Sequence, residues 1–242
     1  MKVVVRPVQV VTLFITLAFA AGLAYALLDL DASRMATLLP AQHYLSRGME
    51  DTGAVNMVSA VLLDYRGFDT LIEALVIFSA AWVISRLLSK TPAPACRPPL
   101  SPIVQCALGY LGPLFWIFPV SIILRGHLSP GGGFQGGVAL AVLLILARIV
   151  YGDRPAAPGI ATPVLSTVEI LGALLFLAIG LIGLAGGEAF LANLAAGFRA
   201  GSPGSLASAG SMFFLNIAIG CKVAAALALI HQRLERGTGG GS

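Results

Sequence analysis

The sequence predicts an all-α integral membrane protein with about six transmembrane helices, one short half-helix and both termini in the cytoplasm. Three observations predict it. The 242-residue chain is 57% hydrophobic and only 11% charged. Its mean hydropathy of +0.91 lies well outside the range of soluble globular domains. Its apolar residues also gather into runs of about 20, long enough to cross a hydrocarbon core of roughly 30 Å as helices.

Taken in order, the expected spans are Val8–Leu28, Leu71–Leu88, Val104–Leu124, Gly136–Val150 with a glycine-rich lead-in, Val164–Leu184, and Ala207–Ile230, which carries a lysine. The run Ala54–Leu63 is too short to span and reads as a half-helix, tolerable at membrane depth only under protein cover. Lys2 and Arg6 precede the first run, and Ala18–Ala20 resembles a leader cleavage site. The apolar run continues past it to Leu28, so the segment is read as a retained helix.

A net charge of +4 does not indicate nucleic acid here, because the basic residues cluster at helix ends rather than on one soluble face. Lys2, Arg6, Arg86, Lys90, Arg97, Arg148, Arg154, Arg233 and Arg236 fall on one side if the helices alternate, and the positive-inside rule makes that side cytoplasmic. Three widely spaced cysteines, Cys96, Cys106 and Cys221, imply neither a disulfide framework nor a thiolate metal site. The expected domains are a two-helix segment, 1–88, a proline-rich cytoplasmic linker, 89–103, a four-helix domain, 104–236, and a flexible tail, 237–242. Asp29–Gly53 and Ala185–Leu206 read as the main outer loops.

Ionisable residues within such runs cost several kcal/mol unless paired, hydrated or protonated, so they are the informative ones. Thr70 and Glu73 have capping-box spacing, Asp69 suits a helix N-terminus, and Asp64 and Arg66 can pair across the turn at Gly67. The competing reading makes Asp64, Asp69 and Glu73 a carboxylate cluster at the mouth of a cation or proton path. Glu169 and Lys222 lie inside sequential antiparallel helices, where they suit either a structural ion pair or a proton relay. Asn216 reads as an interhelical hydrogen-bonding residue.

The stretch "RGHLSPGGGFQGG", 125–137, contains a GxGxxG spacing, but no strand precedes it, which argues against nucleotide binding. Its glycines offer two GxxxG faces, Gly132 with Gly136 and Gly133 with Gly137, for close helix approach. Ser129 and Pro130 suit the N-cap and first position of the following helix. Arg125 and His127 are expected at the outer surface, with His127 a solvated residue whose titration range also suits proton handling.

"GHLSPGGGFQGGVALA" closely resembles the signature of the B subunit of Mrp/Mnh-type multisubunit Na⁺/H⁺ antiporters and its counterpart in membrane-bound hydrogenases. "STVEILGALLFLAIGL" and "NIAIGCKVAAALAL" resemble the last two helices of that component, with Glu169 and Lys222 at their ionisable positions. "NMVSAVLLDYRGFDTLIEALVIF", 56–78, resembles the C-terminal part of the antiporter's A component, which in the hydrogenases is a separate small E-type subunit. Ile72 stands where family patterns often have Gly.

The resemblance implies a fusion of two neighbouring subunits within a prokaryotic plasma-membrane complex that includes a large antiporter-like partner. It also implies a part in moving Na⁺ or H⁺; separately, the sequence leads to the expectation of no cofactor and no resident metal. A purely structural role in assembly is the alternative. Scattered histidines and the lack of HExxH or GxSxG motifs leave an intramembrane enzyme without sequence support. A transporter acting alone is disfavoured by the absence of an obvious inverted repeat.

Overall fold

The computed structural model describes residues 39–87, 98–152 and 161–238, together with 17, 18 and 21, and among them it contains helices and turns but no strand. The helices are α1 (Leu39–Thr52), α2 (Met57–Ala60), α3 (Gly67–Leu87), α4 (Pro102–Leu124), α5 (Gly133–Tyr151), α6 (Thr162–Ala185) and α7 (Met212–Thr238). Five of them, α3 to α7, are long and apolar enough to cross a membrane. The first expected span, Val8–Leu28, lies largely outside the described residues.

Packing divides the chain into Met1–Leu45 and Ser46–Ser242. The described part of the first unit is chiefly the opening of α1, a helix within the expected outer loop Asp29–Gly53. Its sequence, LPAQHYLSRGMEDT, mixes polar with apolar residues and lacks the apolar length of a span, which is why it reads as loop. All that follows concerns the second unit.

The short apolar run at Ala54–Leu63 is a broken element. Asn56 caps α2 by accepting from the Val58 amide at 3.1 Å. The chain then widens into a π-turn, Val61–Tyr65, closed by the Arg66 N–H donating to Val61 O at 2.8 Å. Thr70 is not an N-cap, because α3 already begins at Gly67. Its hydroxyl instead donates back to Leu62 O at 2.6 Å, tying α3 to the π-turn and displacing the capping-box reading.

In α4, Pro102 occupies the first turn, where a missing N–H is harmless, while Pro113 and Pro119 interrupt its interior. Helix α5 starts later than Ser129 and Pro130 suggest: Gly131 and Gly132 take φ of +129° and +130°, a left-handed conformation that ends continuity with the preceding turn. Ser129 donates to Arg125 O at 3.2 Å rather than capping α5. The N–H of Gly133 is satisfied from another helix, by Asn216 Oδ1 at 2.7 Å. The expected last span also starts late, because 207–211 lie in turns and α7 begins at Met212.

Helix α7 is central, with 67% of its span buried against 11% for α4, and it packs on α3, α5 and α6. Missing side chains make this possible. A Cβ on Gly133 would stand 2.6 Å from Asn216 O, one on Gly137 2.8 Å from Gly220 O, and one on Gly172 2.6 Å from Ala218 O. A Cβ on Gly136 would instead meet α4, 3.0 Å from Pro119 O. Without a hydrophobic force between helices in lipid, such close backbone approach supplies much of the association energy. Gly133→Ala is expected to lower stability by about 1–3 kcal/mol through overpacking. Gly112→Ala, where a Cβ meets nothing within 4 Å, is expected to leave it unchanged; thermal unfolding in detergent compares the two.

Candidate functional site: buried polar groups along the central helix

Lys222 lies ten residues after the start of α7, about 15 Å along the helix, and is only 4% exposed. Glu169 projects from α6 beside it and is 7% exposed. Gly172, one turn further along α6, brings the two helices close enough that its Cβ would lie 3.0 Å from Lys222 Cβ. The two side chains share one interhelical space, near enough for their charges to interact. They do not form the direct ion pair that one sequence reading allows. The Lys222 ammonium donates to Ala74 O of α3 at 2.8 Å, and Glu169 Oε1 has no hydrogen-bond partner among the described residues.

Three turns along α7, Arg233 repeats the Lys222 contact, donating to Ala81 O at 2.7 Å. A carbonyl seven residues further along α3 therefore receives the second cation, so α3 and α7 run parallel and are pinned twice. Nearby, Thr162 donates to Gln232 Oε1 at 2.9 Å, and Arg148 pairs with Glu235 at 3.0 Å.

At the other end of the bundle, the turn 125–132 is clamped from below. Asn56 Nδ2 donates to Gly126 O at 2.7 Å and Ser129 O at 2.8 Å, its N–H donates to His127 O at 2.9 Å, and Ser59 donates to Gly126 O at 2.6 Å. Asn216 holds the same region through Gly133, while its amide donates to Met212 O at 2.9 Å. Gly132 precedes α5 rather than forming a helical face with Gly136.

His127 is not at the surface: it is 0% exposed and edge-on to Phe213, with Nε2 3.4 Å from Ser205 O and Nδ1 without a hydrogen-bond partner among the described residues. The loop at Ser205 and Leu206 lies against it, and desolvation lowers its pKa despite the backbone groups of these two residues. The expectation of a solvated residue failed because a remote loop supplies the cover.

The three carboxylates of the 64–73 stretch do not converge. Asp69 forms an ion pair with Arg66, replacing the expected Asp64–Arg66 pair. Asp69 and Glu73, four residues apart, lie on an exposed face of α3. Asp64 is turned the other way, at the π-turn, where burial raises its pKa to about 6 against a lowering hydrogen bond from the Asn193 backbone, with a smaller raising contribution from the nearby Asp51 charge.

Asn193, which no spacing in the sequence marked, organises this end. It donates to Thr52 O at 2.9 Å and Ala209 O at 3.0 Å, and it accepts from the Ser211 N–H at 2.8 Å and hydroxyl at 2.9 Å. Among the described residues, no group of three or more His, Cys, Asp or Glu is arranged to hold a metal ion.

This architecture defines a multi-pass membrane protein with ionisable side chains buried inside its helix bundle. Residues 103–229 match the family model of a domain related to the MnhB subunit of Na⁺/H⁺ antiporters, and residues 7–100 match that of MbhE, the E component of MBH. The chain belongs to the MnhB-related family.

An uncharacterized protein of Methanocaldococcus jannaschii is 32% identical over 237 residues, covering 86% of this chain and 85% of that protein. A probable K⁺/H⁺ antiporter A/B subunit of Rhizobium meliloti is 32% identical over 140 residues, or 47% of this chain and 14% of that protein. A chain of the membrane-bound sulfane sulfur reductase, an archaeal respiratory membrane complex, aligns with a TM-score of 0.71 at 30% identity, covering 93% of this chain and 97% of that one. A chain of the Mrp complex from Dietzia sp. shares the fold at a TM-score of 0.64 and 20% identity; all of this chain corresponds to 27% of it.

The raised pKa of Asp64 has a definite sign. The folded state binds this proton more tightly than the unfolded state, so its ionisation removes stability as pH rises from about 3.8 to about 6. Asp64→Asn is expected to flatten that decline, leaving the variant more stable than the parent above the window; thermal unfolding across pH 3 to pH 8 measures it.

Proposed function

We propose that the chain is a subunit of a multisubunit, ion-coupled complex of the prokaryotic plasma membrane, with its termini in the cytoplasm, and contributes to a Na⁺ or H⁺ path. Membership of the MnhB-related family supports the complex. The observation that carries the path is the burial of Glu169 and Lys222 side by side within two spans, with one carboxylate oxygen unpartnered among the described residues and the ammonium held by a backbone carbonyl. Two such groups can exchange a proton without leaving a net charge in hydrocarbon. Glu73 on the exposed face of α3 suits continuation of the path towards a partner in the complex, since a carboxylate in a span is costly against lipid. The clustering of Arg86, Arg148 and Arg233 at one end of the bundle supports the orientation.

A structural role is the second reading, favoured by one observation: Lys222 and Arg233 both fasten α3 to α7 through carbonyls. The assembled complex in sealed vesicles separates the two. Glu169→Gln and Lys222→Met are expected to reduce cation-dependent proton flux on the order of 10²-fold while the complex co-purifies at parental stoichiometry. Full flux from assembled variants would overturn the path, and loss of partners in step with loss of flux would assign the structural role.

A further inference from the structure

We propose that His231, near the C-terminal end of α7, passes protons between the aqueous surface and Glu169 through a cavity the size of one water. The proposal rests on the path through Glu169 put forward above and names its entry.

The cavity lies between α5, α6 and α7, encloses about 10 Å³ and is lined by Arg148, His231 and Gln232, with Leu165 and Ala228 among its apolar walls. A single water needs roughly 10–15 Å³ and two to four polar partners. Three polar side chains meet that need here.

His231 spans the boundary between solvent and interior. Its side chain is 27% exposed, yet its Nε2 is fully buried, so one edge of the ring meets the surface while Nε2 faces inward. Among the described residues Nε2 has no hydrogen-bond partner, because Glu235 Oε1, although 3.2 Å away, lies out of line. The ring nitrogen on the buried side is therefore not committed to a fixed bond.

The surrounding charges accept both forms of the ring. Arg148 of α5 donates to Glu235 Oε2 at 3.0 Å and leaves Oε1 beside the imidazole. Helix α6 contributes the neutral Thr162, which donates to Gln232, and Arg233 turns away to Ala81 O of α3. An imidazolium faces the Glu235 carboxylate, and a neutral imidazole leaves the Arg148–Glu235 pair intact.

The step inward is short. Leu165 lines the cavity, and Glu169 lies one turn further along α6, about 6 Å, a span that two hydrogen bonds through one water cover. Helices α6 and α7 are antiparallel, since Thr162 meets Gln232 while Gly172 meets Ala218. Helical side chains lean towards their own N-terminus, so Glu169 leans back to the cavity and His231 leans into the bundle. The Glu169 carboxyl also interacts electrostatically with Arg233, which belongs to the same end of α7. On α7 the intervening apolar layer includes the slender Ala224, Ala225 and Ala228. Transfer is then one proton from Nε2 to the cavity water while that water gives one of its own to the Glu169 carboxylate. Imidazolium becomes imidazole, carboxylate becomes carboxylic acid, and the exposed edge of the ring reloads from bulk water.

The test uses the assembled complex in sealed vesicles and compares His231→Gln and His231→Ala with Glu169→Gln. His231→Gln keeps a polar side chain of similar size and is expected to assemble like the parent while lowering proton flux about tenfold or more. Added imidazole is expected to restore flux to His231→Ala and to leave Glu169→Gln inactive, a rescue that a merely structural histidine would not show. Full flux with an unaltered pH profile in His231→Gln, or a loss in His231→Ala that imidazole does not restore, would overturn this entry and leave the path through Glu169 standing. Full flux in Glu169→Gln would overturn both.

Discussion

The bundle depends on the absence of side chains where α5 and α6 cross α7. Gly133 and Gly137 of α5 and Gly172 of α6 each bring their helix within van der Waals range of an α7 backbone carbonyl. A methyl group at any of them would have to displace main chain rather than a pliable side chain. That approach places Lys222 where it reaches α3, sets Glu169 against it, and lets Asn216 cap α5 across the interface.

Breaks in helices are admissible at membrane depth only when other protein groups satisfy the freed backbone. Here the satisfaction is reciprocal. Asn56 and Ser59 from the broken half-helix take the carbonyls of the turn 125–132, Thr70 takes Leu62 O from the π-turn, and Asn193 takes Thr52 O and Ala209 O. Each donor is an uncharged side chain, so each break is closed without placing a further charge in a low-dielectric region.

The spanning helices α3 to α7 were legible because bilayer length is a coarse constraint that apolar runs satisfy or fail. The glycines were legible as small-residue pairs, but not their partners: Gly136 meets α4 while Gly133 and Gly137 meet α7, and only three-dimensional packing decides that. Local rules misled where a remote segment outcompeted them. Thr70 and Glu73 have capping spacing, yet α3 begins at Gly67, and the Thr70 hydroxyl donates to a π-turn carbonyl instead of accepting as a cap. His127 follows an arginine in a polar turn, yet the loop at Ser205 and Leu206 packs against it. Asn193 had no local signal at all, since its partners lie 16, 18 and 141 residues away.

Two regions that match different family models share one apolar core and are also fastened by cation–carbonyl contacts across α3 and α7. Ala74 and Ala81 belong to the region matching MbhE, whereas Lys222 belongs to the MnhB-related region and Arg233 follows it directly. The same helix that receives both cations on its inner face presents Asp69 and Glu73 on its outer face. Glu73 and Ala74, whose carbonyl holds Lys222, are adjacent in sequence, so one turn of α3 carries both the exposed carboxylate and the acceptor of the buried ammonium. Helix α3 therefore works in two directions: its inner carbonyls hold the cations of α7, while its outer face carries a carboxylate that is costly against lipid.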